Sequence, residues 1–304
     1  MKAIQELDQG RNKKDSNVMK PYDDSDPFVP PSENQIVLRE YDPFMTTSSQ
    51  PSAILEMRNV HLSTPDGKRT LVQHLNFSLM KDNNLLIAGV SGAGKSSLLR
   101  AIAGLWDTGS GEIARPRSED MYFLPQLPYC PPGTLRDQLL YPSTELYDEY
   151  DTSRGGPLRD SPNDVANVSD EELLNILAAV DLPDLAARAG DGDPMAGIST
   201  VQNWSNTLSL GEQQRLAFGR LIVNRPKFVV MDESTSALDV VAERKMYDLM
   251  RDYGFVYVSV GHRPTLLQFH QVKLLLKDCT GLASFIPRTD SSRQDETILK
   301  SVVR

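Results

Sequence analysis

The chain has 304 residues, a hydrophobic content of 39% and a formal net charge of −9. That length suits one large domain or two small ones, and a pI of about 5.0 speaks against a nucleic-acid-binding surface as its main business, so no nucleic acid partner is expected. The two cysteines, Cys130 and Cys279, are too few and too far apart for a disulfide framework or a zinc site, and free thiols suit a reducing compartment.

Residues 1–52 are polar and rich in Asp, Ser and Pro, with Pro27, Pro30, Pro31 and Pro43 breaking any long helix. Such a stretch buries too little apolar surface to offset its ordering entropy. It reads as a disordered linker or tail, with a helical stub at Lys2–Asp8. Order is expected from near Ile54. Leu55, Met57 and Val60 begin an alternating segment, Pro65-Asp66-Gly67 signals a turn, and Val72, Leu75, Phe77 and Leu79 resume alternation. This predicts an antiparallel hairpin. Leu85-Leu86-Ile87-Ala88 is a short apolar run of the buried, parallel kind. A helix is predicted over Lys95–Ala103, from Leu98, Leu99 and Ile102 at helical spacing, with Gly104 placed to end it.

Residues 142–168 read as a polar surface insertion. Ser169 and Glu172 have capping-box spacing ahead of a helix bearing Leu173, Ile176, Leu177 and Val180 on one face. Further on, a helix is predicted over about Leu210–Val223, a strand over Phe228–Met231, a helix around Val241–Asp252 and a strand over Phe255–Val260. Strands alternating with helices point to an α/β domain with a mainly parallel sheet. No run approaches the ~18–20 apolar residues of a membrane helix, and no apolar h-region opens the chain.

Two segments carry chemistry on their own residues. Gly89-Val90-Ser91-Gly92-Ala93-Gly94-Lys95-Ser96 fits GxxxxGK[ST] between an apolar run and a helix. Its glycines allow a tight turn with N–H groups aimed at phosphates. The helix N-terminus adds positive potential. Lys95 reaches the β/γ-phosphates, and the Ser96 hydroxyl is a Mg²⁺ ligand. Ser97, next on the helix, completes the nucleotide-binding set. The strand Phe228–Met231 then ends in Asp232-Glu233. Two carboxylates at the C-terminal edge of a sheet sit where α/β ligands bind. Asp232 suits the Mg²⁺ shell, and Glu233 suits a general base that polarises the attacking water.

A third segment, Leu208-Ser209-Leu210-Gly211-Glu212-Gln213-Gln214-Arg215, starts a helix that Ser209 can cap. Its local physics fits an ordinary helix start equally well. It resembles the signature motif of ABC ATPases, and with the phosphate loop and the acidic pair it makes residues 53–286 similar to an ABC cassette. The resemblance implies an α/β P-loop NTPase fold: a mainly parallel core sheet, an antiparallel β subdomain, and a helical signature subdomain with a polar insertion over about residues 127–222. Residues 287–304 are left as a C-terminal tail. It implies that Gln126 belongs to a Mg²⁺-sensing Q-loop and that Ser236-Ala237-Leu238-Asp239 is the D-loop, with Asp239 communicating between sites. His262 matches the switch histidine, catalytic beside Glu233. Ser209, Gly211 and Glu212 then act in trans, on ATP held by a second cassette in a homo- or heterodimer.

Pro132–Pro142, Asn203-Trp204 and Val260–Pro264 are similar to subfamily D. That group includes peroxisomal fatty-acyl transporters, plastid members, and bacterial relatives that import peptides or cobalamin. The expected function is ATP binding and hydrolysis driving transport through transmembrane domains, with the cassette on the cytosolic face of a membrane. Soluble ABC ATPases of DNA repair or ribosomes and a regulatory nucleotide-binding module are the alternatives. Two features depart from the pattern. Leu62-Ser63-Thr64-Pro65 has no aromatic for adenine, and the signature has Leu210 and Glu212 where many members have Gly and Gln. Subfamily D members carry membrane helices ahead of the cassette, so either the membrane part is a separate polypeptide or this sequence is a fragment of a longer one, and the helical stub at Lys2–Asp8 followed by a linker favours the fragment.

Overall fold

A computed structural model describes residues 35–44, 53–142 and 168–286. The helical stub expected at Lys2–Asp8, most of the polar insertion and the C-terminal tail lie outside them.

The predicted hairpin is present. Strands β2 (Ala53–Ser63) and β3 (Thr70–Met80) pair antiparallel, with Met57 opposite Phe77 and Leu62 opposite Val72. They share a four-stranded sheet with β1 (Val37–Tyr41) and β5 (Gly109–Pro116), in the order β1-β5-β2-β3. β1 corrects one expectation, since it lies inside the stretch 1–52 read as a disordered linker. It runs parallel to β5, with Val37 opposite Glu112 and Tyr41 opposite Pro116. Its order comes from partners far along the chain. Arg115 pairs with Glu40 at 3.1 Å, the Tyr41 hydroxyl donates to the Ala53 carbonyl at 2.6 Å, and Ile36 is buried. An isolated five-residue strand flanked by prolines leaves no periodicity long enough to read.

A six-stranded sheet forms the centre. It comprises β4 (Leu85–Gly89), β6 (Met121–Leu124), β7 (Phe228–Asp232), β8 (Val256–Val260), β9 (Val272–Lys277) and β10 (Thr280–Phe285), in the order β10-β9-β4-β8-β7-β6. All neighbours are parallel except β9 and β10. Parallel strands need crossovers and are covered on both faces. Helix α1 (Lys95–Ile102) follows β4, and α8 (Val240–Asp252) joins β7 to β8. Between β6 and β7 come α2 (Leu135–Leu140), α3 (Asp170–Ala179), α4 (Leu185–Ala189), α5 (Pro194–Ile198), α6 (Trp204–Thr207) and α7 (Leu210–Asn224).

Strand alternation sorts the side chains into two cores. Leu85, Ile87, Phe228, Val230, Val258 and Val260 join Ile54, Val72 and Leu98 on one side. Leu86, Val229, Met231 and Tyr257 join Trp204, Phe218 and Met246 on the other. At about 2–3 kcal/mol per buried large side chain, these two layers hold the strand ends in fixed register. Trp204 is 1% exposed and donates its indole N–H to the Gly133 carbonyl at 3.0 Å, tying α6 to the loop before α2.

Helix ends follow sequence chemistry. Ser169 accepts the Glu172 N–H at 3.2 Å, the first half of the expected box. Complete boxes form at Thr134 with Asp137 and at Ser209 with Glu212. Gly104 follows α1 with φ +80°, the left-handed turn that suits glycine.

Candidate functional site

The loop after β4 is shaped by two glycines. Gly89 has φ +149°, and a Cβ there would stand 2.4 Å from the Leu276 carbonyl oxygen on β9. Gly94 has φ +90° and precedes α1, where a Cβ would stand 2.9 Å from Leu71 Cβ. Only glycine takes both conformations without strain. The first N–H groups of any α-helix lack an intrahelical partner, and Gly94 brings no side chain to cap those of α1. Lys95 is 6% exposed and its Nζ donates to the Val90 carbonyl at 2.9 Å. Burial lowers its pKa from the ordinary lysine value, while Glu233 and Asp232 pull the other way. Lys95 and the uncapped helix end make a small electropositive cradle suited to an anion.

Next to it, the Ser96 hydroxyl donates to Asp232 Oδ1 at 2.7 Å, and Arg100 Nη2 lies 3.9 Å from Asp232 Oδ2. A hydroxyl and a carboxylate are hard oxygen donors. They fit Mg²⁺, which takes one or two protein oxygens and fills its remaining positions with water and phosphate. Among the described residues no group of three or more His, Cys, Asp or Glu could hold a metal alone.

Glu233 follows β7 with φ +48°, in the left-handed region. Its N–H donates to the Val260 carbonyl at 3.2 Å. A non-glycine residue there is strained and persists because its surroundings hold it. The turn sends its carboxylate out of the sheet, towards two partners. Gln126 Nε2 donates to Oε2 at 3.0 Å, and His262 Nε2 lies 3.1 Å from Oε1. The structure thus gathers Lys95, Ser96, Gln126, Asp232, Glu233 and His262 at the C-terminal ends of β4, β6, β7 and β8. A carboxylate so placed can accept a proton from water, and the imidazole beside it can donate to a developing oxyanion.

Ser209, Gly211 and Glu212 lie elsewhere. Among the described residues no hydrogen bond or ion pair joins Leu208–Arg215 to the loop 89–96. Ser209 caps α7, and Glu212 Oε2 receives both its N–H (2.9 Å) and its hydroxyl (2.8 Å). Burial opposes ionisation of Glu212, but the Ser209 N–H and the paired Arg188 guanidinium outweigh it and hold its pKa below the ordinary value. Asp239 caps α8, accepting from Val241 and Ala242 at 2.8 Å each, and the Ala242 N–H leads in lowering its pKa.

Sequence reasoning missed three side chains. Arg69 Nη2 donates to the Gly92 carbonyl at 3.0 Å, beside the stretch that lacks an aromatic. Gln214 is fully buried between the Gln126 and Ser236 segments. Arg263 reaches the Ser236 and Leu238 carbonyls. Arg69 has no sequence signal beyond residue type, and Gln214 lies within the signature-like segment without a role of its own being read there. Arg263 directly follows His262, and that adjacency was the available clue.

A family model described as ABC transporter matches residues 72–236. An uncharacterized ABC transporter ATP-binding protein of Synechocystis sp. is 47% identical over 219 residues, covering 72% of this chain and 29% of that protein. ABC transporter D family member 2, chloroplastic, of Arabidopsis thaliana is 39% identical over 241 residues, covering 71% and 33%. The lysosomal cobalamin transporter ABCD4 of Homo sapiens is 36% identical over 228 residues, covering 74% and 34%. The chain spans about a third of the length of these relatives. Among solved structures, a bacterial Atm1-family ABC exporter with ATP bound shares the fold, with a TM-score of 0.59 at 23% identity over 81% of this chain and 40% of that one.

Proposed function

The chain belongs to the ABC transporter family, with subfamily D members among its relatives, and on that premise we propose that it hydrolyses ATP·Mg²⁺ at composite sites between two cassettes to drive transport across a membrane. The observation that carries this reading is the separation just described. Glu233, Gln126 and His262 converge at one sheet edge beside the phosphate loop, while Ser209 and Gly211 are set apart from that loop in the same chain.

Gly89–Ser97 cradle the phosphates, and Lys95 neutralises charge on the β- and γ-phosphates. Ser96, Asp232 and Gln126 would hold Mg²⁺, which when bound would supply Lewis-acid polarisation of the phosphoryl oxygens. Glu233 orients the attacking water and takes its proton. His262 keeps Glu233 aligned and hydrogen-bonds the γ-phosphate as charge builds there. Ser209 and the Gly211 N–H of a second cassette close over the same phosphate, with Glu212 beside them. Asp239 and its turn relay the state of one site to the other. Closure and opening of the pair act through the Gln126 segment on a membrane-spanning domain, on this polypeptide or another. Among the described residues no helix is long and apolar enough to cross a membrane. The cassette works on the cytosolic face of that membrane.

Mixing two inactive variants tests the shared site. Lys95→Ala removes the phosphate ligand and Ser209→Ala removes the signature hydroxyl. In a mixed dimer one composite site keeps both groups, so hydrolysis returns on mixing. Activity that stays at the level of the separate variants contradicts the proposal.

A further inference from the structure

The turn Ser236–Asp239 is gripped from two sides by residues outside it. From the segment after β8, Arg263 donates Nη1 to the Leu238 carbonyl at 2.6 Å and Nη2 to the Ser236 carbonyl at 3.0 Å. The same guanidinium lies 3.3 Å from Glu243 Oε2 on α8, a side chain 1% exposed. Thr265 fixes the other Glu243 oxygen at 2.6 Å. From the opposite side comes Gln214 on α7, which is fully buried. Its Oε1 accepts the Ala237 N–H at 3.0 Å, and its Nε2 donates to Ser236 Oγ at 3.2 Å and to the Gln126 carbonyl at 3.0 Å.

Each grip leads to a different part of the site. Arg263 follows His262, which lies against Glu233. Gln214 stands on the helix that Ser209 caps and bonds the backbone of Gln126, whose amide also reaches Glu233. We infer that Arg263 and Gln214 are positioning residues that make the Ser236–Asp239 turn move together with the His262 segment and the Ser209 helix. The inference rests on the dimer reading above and adds the parts that carry the signal within one chain.

The chemistry suits the task. A guanidinium fork fixes two carbonyls at once in a set geometry, and an ammonium on a flexible stem does not. Gln214 offers a donor and an acceptor and is fully buried, so neither of its bonds is readily exchanged with solvent. A shift of His262 when a γ-phosphate enters is therefore transmitted to Asp239 and, through Gln214, to the signature helix. The same links work in reverse when the signature segment engages a second nucleotide.

Arg263→Lys in the full chain tests this, with Gln214→Met as a second variant. The measurements are hydrolysis rate against ATP concentration, equilibrium binding of a fluorescent ATP analogue, and the melting temperature. A misplaced turn should lower kcat of Arg263→Lys by about ten- to a hundredfold. KM and analogue affinity should stay within about twofold, because the phosphate loop is untouched. The Hill coefficient for ATP should fall towards one, with the melting temperature near wild type. Gln214→Met should lose kcat and cooperativity alike, with a lowered melting temperature because three groups around a fully buried side chain lose their partner. Should Gln214→Met fail to fold, Arg263→Lys decides alone. Wild-type kcat and Hill coefficient in Arg263→Lys overturn the inference, as does a kcat loss that only tracks a lowered melting temperature with the Hill coefficient intact. If the Lys95→Ala and Ser209→Ala mixture recovers activity while Arg263→Lys behaves as wild type, the inference alone fails. If the mixture stays inactive, the dimer reading itself fails.

Discussion

His270 closes the far end of the segment that begins at His262, and it sets an acid limit on the fold. It is 3% exposed. Its Nδ1 lies 2.7 Å from the Leu266 carbonyl and its Nε2 2.7 Å from the Ser259 hydroxyl. A carbonyl only accepts, so Nδ1 carries the proton and Nε2 accepts from Ser259. The ring is fully partnered while neutral, with Tyr247 and Tyr257 packed around it at centroid distances of 5.7 and 5.2 Å. Burial lowers its pKa from 6.5 to about 4, while the bond to Leu266 pulls the other way. Between those values the unfolded chain binds a proton that the folded chain refuses. This contribution to stability is intact above pH ~6.5 and is lost as pH falls towards ~4, at about 1.4 kcal/mol per pH unit. Across the window the loss sums to about 3 kcal/mol. Urea denaturation at pH 7 and pH 4.5 reads it directly, with His270→Gln as the comparison. Glutamine can keep a donor towards Leu266 and an acceptor towards Ser259 but does not titrate. The variant should start less stable at pH 7 and lose about 2–3 kcal/mol less on acidification. Equal losses in the two proteins would refute the reasoning.

Three further substitutions probe the scaffold. Gly94→Ala places a Cβ at φ +90° and 2.9 Å from Leu71 Cβ. It should cost about 2 kcal/mol in a denaturation curve and abolish detectable binding of a fluorescent ATP analogue. Gly219→Val drives a branched side chain into the buried contact of α7 with α2, where even a Cβ stands 2.8 Å from Leu139 Cδ2. A loss of about 2–3 kcal/mol is expected from the urea midpoint. Trp204→Phe leaves the Gly133 carbonyl without its indole donor, and the urea midpoint should report a loss of about 2 kcal/mol.

What was legible in the sequence tracks how local the signal is. The phosphate loop could be read because strand, glycines, Lys95 and Ser96 are contiguous. The same holds for Phe228–Asp232 and for α8, whose apolar stripe and Asp239 cap lie within one segment. The gathering of Gln126, Glu233 and His262 was expected only through resemblance, because sequence separations of 107 and 29 residues are bridged by sheet order rather than by any pattern. β1 was misread because its stabilisation comes from β5, some 75 residues later. Arg263 and Gln214 lie in segments that resemblance singled out, but their own roles were not read because they consist of bonds to distant turns, which residue identity does not reveal.

Replacing Glu233 by Gln is the most direct test of the central claim, that this chain hydrolyses ATP in a sandwiched dimer. The full chain carrying Glu233→Gln would be incubated with ATP and Mg²⁺, then assayed for mass in solution, retained nucleotide and phosphate release. The account predicts a stable species of about twice the chain's 33.8 kDa that retains uncleaved ATP. Its phosphate release should fall by about 10²–10⁴-fold. Release at the wild-type rate, or a species that stays at the single-chain mass with ATP bound, would contradict it.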